Sequence, residues 1–252
     1  GLATTAIADT DTHTFTNLRT AGARTWTASS TDDPASIDPN EVARAVSAGK
    51  AVGGQGLYMQ ARLLARDGSG AVADLTLGGT TEIVSTSGDV DLEIRVQAPL
   101  WAAFDRIEVY ANAATAPVDP LEPYLYVAAP GAAQVFVEGD CNPLTVGDGD
   151  FDLATVDVAP GVPGGQRLET TLVVPFSGLV QDTWFVALAR GSDGVCPPMF
   201  PVHPHDLAGA TNTTLPDLLD GNVGELGVQP LGLTNALRAD VDGTPGFQAP
   251  NP

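Results

Sequence analysis

Apolar and polar positions along this chain follow two different periods, and the change falls near residue 50. In SIDPNEVARAVSAGK, Val42, Ala45 and Val46 share one helical face at i, i+3 and i+4. Asp38 is a natural N-cap, Pro39 suits the first helical position, and Glu41 stands three residues after the cap to close a capping box; Gly49 supplies a left-handed stop. The pattern predicts a helix over 38–48. After Lys50 the period becomes two. In LYMQARLLAR, Leu57, Met59, Ala61 and Leu63 alternate with Tyr58, Gln60 and Arg62. The same alternation turns Leu92, Ile94 and Val96 inward in DLEIRVQA, and Ile107 and Val109 inward in RIEVYAN. TTEIVST, YLYVAA, QVFVEG, LETTLVV and TWFVALAR are further strand candidates, and TTLPDLLDG reads as a helical turn or two.

Short strands between Gly, Pro and Asp turns, with little helix among them, predict a mainly β chain. An antiparallel β-sandwich is expected over 51–252, preceded over 1–50 by a loop and helix of the kind that ends an α/β unit. The 252 residues suffice to bury roughly 70 % of the unfolded surface. No run of eighteen apolar residues and no charged-then-apolar leader is seen, so any targeting segment is expected to have been removed or to lie upstream of Gly1.

Charge narrows the partners. With 11 Lys and Arg against 31 Asp and Glu, the formal charge of -20 repels phosphate backbones and anionic headgroups, which argues against nucleic-acid and membrane partners. Lys50 is the single lysine, and an aspartate-rich, turn-rich composition of this kind is common in secreted or salt-adapted β proteins. Cys141 and Cys196 each lie in a Gly/Pro-rich loop and read as one disulfide formed in an oxidising compartment, two reduced thiols being the alternative.

Several carboxylates and imidazoles stand at spacings that chemistry could use. Asp11-Thr12-His13 places a carboxylate two residues from an imidazole in a chain with three histidines. Asp148, Asp150 and Asp152 in GDGDFDL alternate as in the first half of an EF-hand loop, but Leu153 and Ala159 stand where that loop needs glycine and glutamate. A calcium-binding turn of another type and a solvated acidic loop both remain open there. His203 and His205 form an H-x-H, with a proline-packed loop as the plain reading, and Asn212 begins an N-T-T glycosylation acceptor. Arg24 could face an anionic substrate or form a surface ion pair with Asp32 or Asp33.

The order of DTH, FTNLRTAGART, TDDPASIDPNEVARAVSAGKAVGGQG, VQAPLWAAFDRIEVYANA, TWFVALARG and LTNALRADVDGTPGFQAP resembles the C-terminal portion of bacterial PHP (polymerase and histidinol phosphatase) metallohydrolases that carry a β-sandwich after the barrel. The resemblance implies that 1–50 is the incomplete end of a metal-binding barrel, with Asp11 and His13 the last ligands of a centre holding two or three divalent ions (Mn, Zn or Fe). It implies hydrolysis of an anionic phosphoester or related ester by metal-activated water, in a secreted or periplasmic protein. The family's opening H-x-H and middle ligands have no counterpart in this chain, so the missing barrel region is expected upstream or on a separate chain, and this chain alone is expected to be inactive. The family's closing D-x-D-G-D/N-G reads Asp240-Val241-Asp242-Gly243-Thr244 here, one oxygen ligand short. The alternative expectation is a non-catalytic, secreted β-sandwich that binds or assembles through its surface.

Overall fold

The computed structural model describes residues 5–8, 23–76, 78–112, 117–119, 122–126, 133–158, 165–192, 194–197, 199 and 229–248. These form a mainly β structure with two antiparallel-dominated sheets sharing one apolar core. The larger sheet holds β1 (Ala23–Thr27), β2 (Ala51–Gln55), β5 (Glu82–Val84), β7 (Arg106–Ala111), β10 (Gln134–Val137), β13 (Thr183–Arg190), β14 (Leu231–Thr234) and β15 (Leu237–Asp240). The smaller runs β11-β12-β6-β3-β4, from β11 (Ala154–Asp157) through β12 (Gln166–Phe176), β6 (Val90–Pro99) and β3 (Tyr58–Ala65) to β4 (Val72–Asp74). A separate hairpin pairs β8 (Pro117–Asp119) with β9 (Glu122–Tyr126).

Alternation explains the layers. β6 is buried at every second residue from Val90 to Ala98, and β13 from Thr183 to Ala189. One face of each strand therefore enters the core, and each fully buried Leu, Ile or Phe contributes about 1.5–3 kcal/mol. Phe185 of β13 meets Phe176 of β12 at 4.7 Å between ring centres, an aromatic contact from sheet to sheet. β13 pairs with β7 along one edge and, along the other, with β15 at one end and β14 at the other. In the gap between those two short strands the Thr234 hydroxyl accepts the Ala187 N–H, so that buried donor keeps a partner.

Helix α1 (Pro39–Ser47) starts as its sequence dictates. Asp38 accepts the Asn40 N–H, Pro39 occupies the first turn, and Gly49 follows at φ +76°. The expected capping box does not form, because the Glu41 carboxylate takes the Ser30 N–H and hydroxyl instead and ties the helix to the loop after β1. β1 pairs antiparallel with β2, so residues on both sides of position 50 share one sheet. Asn235, almost fully buried, joins both parts: its amide accepts from Ala6 N–H and donates to the Ala6 and Ala51 carbonyls. Where β2 leaves for β3, only glycine fits at Gly54, since a Cβ would run into the Leu57 carbonyl.

Candidate functional site

β4 pairs with β3 only through Arg62, Leu63 and Leu64, so β4 does not continue along the first half of β3. Beside that half lies a cleft of about 510 Å³, walled by the end of β1 and the loop after it, by β3, and by the turn after β4. Trp26 and Tyr58 stand at its aromatic end, edge to face at 5.5 Å. Gln60, Arg62, Glu93 and Arg95 form a polar wall beside Thr27, Ser29 and Thr76, and register explains the grouping of the four: Gln60 lies opposite Arg95 and Arg62 opposite Glu93 across β3 and β6.

The charged groups of this face are engaged with one another, two arginines sharing Glu169. Arg62 lies 3.4 Å from Glu93, and Arg95 2.7 Å from Glu169. Glu169 also accepts from Arg167 and from the Gln97 amide. Burial by itself would raise the Glu169 pKa, but the hydrogen bonds from Arg95, Arg167 and Gln97 outweigh it and hold the carboxyl below its ordinary value. On the other sheet burial likewise opposes, and the hydrogen bonds of Tyr110, Arg106 and Arg190 likewise lower, the pKa of nearly buried Glu108.

A carboxyl whose folded pKa lies below its unfolded one contributes stability that is present above the unfolded value, 4.5 for glutamate, and is lost as pH falls through the folded value. Urea titrations at about pH 5 and about pH 3 should therefore show a larger loss for the native protein than for Glu169→Gln. Equal losses in the two proteins would contradict the assigned role of Glu169.

Among the described residues, two groups of three carboxylates converge closely enough to hold a metal ion, their oxygens lying within 4.8 Å of one another. The first is Asp182, Asp240 and Asp242. Here the backbone already occupies the carboxylates: Asp182 accepts from Val241 and Gln248, Asp240 from Gly246, and Asp242 from Thr244. The second is Glu138, Asp140 and Asp148, in the loop between β10 and β11. Glu138 is fully buried; its Oε2 accepts the Cys141 N–H, while Oε1 has no hydrogen-bond partner. Burial pushes its carboxyl up to about 7; the Cys141 N–H opposes the rise, and the charges of Asp148, Asp140 and Asp105 add to it.

The residues singled out in the sequence are not gathered at one place. Asp11, His13, His203, His205, Asn212 and the TTLPDLLDG segment lie outside the described residues. Arg24 is exposed on β1 and does not line the cleft. Cys141 and Cys196 are bonded to each other and tie the 138–153 loop to the turn after β13. Of the three alternating aspartates only Asp148 joins the acidic group. Asp150 accepts the Val137 N–H and Asp152 the Gly147 N–H, so those two shape the loop. The cleft residues were missed because nothing local connects Trp26, Tyr58 and Glu93, which only sheet pairing brings together.

No family model, curated protein or solved structure matches the chain.

Proposed function

We propose that the chain is a non-catalytic binding module whose ligand is a neutral carbohydrate held in the Trp26–Tyr58 cleft. The observation that carries this reading is the cleft's combination of an aromatic end with a polar wall whose charges are already paired. Its volume falls in the range of ligand pockets, about 300–1,000 Å³. An aromatic face offers contact to the C–H face of a sugar ring, while Gln60, Arg62, Glu93 and Arg95 present both donors and acceptors to hydroxyl groups. The guanidiniums of Arg62 and Arg95 are engaged by Glu93 and Glu169, and the -20 charge of the chain disfavours an anionic ligand.

The reading is tested by affinity electrophoresis in gels containing neutral polysaccharides: a β-glucan, a xylan, a mannan and a starch. Retardation by at least one, weakened in both Trp26→Ala and the surface variant Gln60→Ala, is the expected result. Equal mobility in every gel would remove the reading. Phosphoester turnover that arises once the missing barrel region is supplied, and that disappears in His13→Ala, would instead favour the metal-dependent hydrolase implied by the resemblance, with Asp11 and His13 as ligands to Mn, Zn or Fe.

A further inference from the structure

The 138–153 loop distributes its acidic groups unequally. Asp150 and Asp152 are consumed by backbone N–H groups, and Asp140 accepts from Asn142 N–H and the Thr145 hydroxyl. Asp148 accepts no hydrogen bond from the described residues, and its carboxylate lies so close to Gly139 that a Cβ there would overlap it. Gly139, at φ +123°, takes a backbone shape that only glycine adopts readily, and so allows this approach. The decisive feature is Glu138: a fully buried side chain whose Oε1 has no partner, within 4.8 Å of two further carboxylates. A buried, unpaired acceptor is costly, and native proteins supply one with a hydrogen, a water or an ion.

We propose that Glu138, Asp140 and Asp148 bind one calcium ion. All three donors are carboxylate oxygens, and the cysteine sulfurs nearby are spent on each other, so the donor set is hard and suits Ca²⁺ better than zinc or iron. Three negative groups at this separation repel one another, and a divalent cation turns that repulsion into attraction. The ion gives the Glu138 carboxylate a partner beyond the Cys141 N–H and adds coordination to a loop already anchored by its disulfide. Among the described residues the corresponding group at Asp182, Asp240 and Asp242 contains no buried oxygen without a partner, and it is assigned no ion.

The test is calorimetric titration of the EDTA-stripped full chain with CaCl₂, with Tb³⁺ luminescence as a second probe. One equivalent is expected, at a Kd of about 10⁻⁴–10⁻³ M or tighter, the range of extracellular calcium modules. Asp148→Asn, an exposed change that should leave folding intact, and Glu138→Gln should each weaken binding more than about a hundredfold, beyond the cost of losing an outer partner. Asp242→Asn should leave it unchanged. Absence of binding up to about 10 mM Ca²⁺, unchanged binding in Asp148→Asn and Glu138→Gln, or loss of the site in Asp242→Asn would each overturn the assignment.

Discussion

Replacing Phe185 by alanine is expected to lower the unfolding free energy by about 3–5 kcal/mol. The residue is 1 % exposed, lies on the strand flanked by β7 and β15, and reaches Phe176 of the opposite sheet. Its removal takes away the transfer energy of a ring and leaves a cavity that two hydrogen-bonded neighbouring strands prevent from closing. Val173→Ala is the control. Val173 belongs to β12 but is 53 % exposed, so its substitution should stay within about 0.5 kcal/mol. Urea denaturation of both variants measures the contrast, and a similar midpoint shift for the two would place Phe185 outside the core.

The second large effect belongs to the disulfide. Cys141 and Cys196 are separated by 55 positions, and closing a loop of that length removes denatured-state entropy worth about 4 kcal/mol in the chain-entropy model. The bond also holds the 138–153 loop against the turn after β13. There Asp105, itself buried, accepts the Ser192 N–H. The double variant Cys141→Ala/Cys196→Ala should therefore unfold at a markedly lower urea concentration, with its β-rich far-UV spectrum preserved in the absence of denaturant. An unchanged midpoint would show that the cross-link adds nothing to stability.

Much of the sandwich was legible because its long strands carry their own signal. β6 alternates throughout and β3 as far as Leu63, and period two needs only one buried face to appear in the sequence, whereas β13 was legible as a continuous apolar run bounded by polar residues. β2 carries no such signal. Its residues Ala51, Val52, Gly53 and Gly54 are all buried, and the two glycines have no side chain to alternate. β14 and β15 are four residues each, and their partners β2, β13 and β5 lie far away in the chain, where local pattern is silent.

The sites show the same division. The helix cap at Asp38 is decided within two residues and was readable. The fate of Glu41 depended on a loop eleven residues earlier, and it was not. Asp148 stood out through its spacing, whereas Glu138 looked like any loop glutamate until folding buried it with one oxygen unpartnered. A glutamate two residues from a second acid and three from a half-cystine was the only available hint. The cleft left no trace in spacing at all, since Trp26, Tyr58 and Glu93 meet through pairing of β1 with β2 and of β3 with β6.

The most direct measurement of the central claim is calorimetric titration of the full chain with neutral hexasaccharides of the cello-, xylo-, manno- and malto-series, repeated with Trp26→Ala. A half-buried aromatic ring covered by ligand is worth about 1.5–3 kcal/mol of contact, so the variant should bind the preferred sugar about ten- to a hundredfold more weakly while unfolding with the cooperativity of the native protein. Binding of one hexasaccharide that falls in this way is the predicted result; no heat with any of the four, or equal affinity of Trp26→Ala and the native protein, would contradict it.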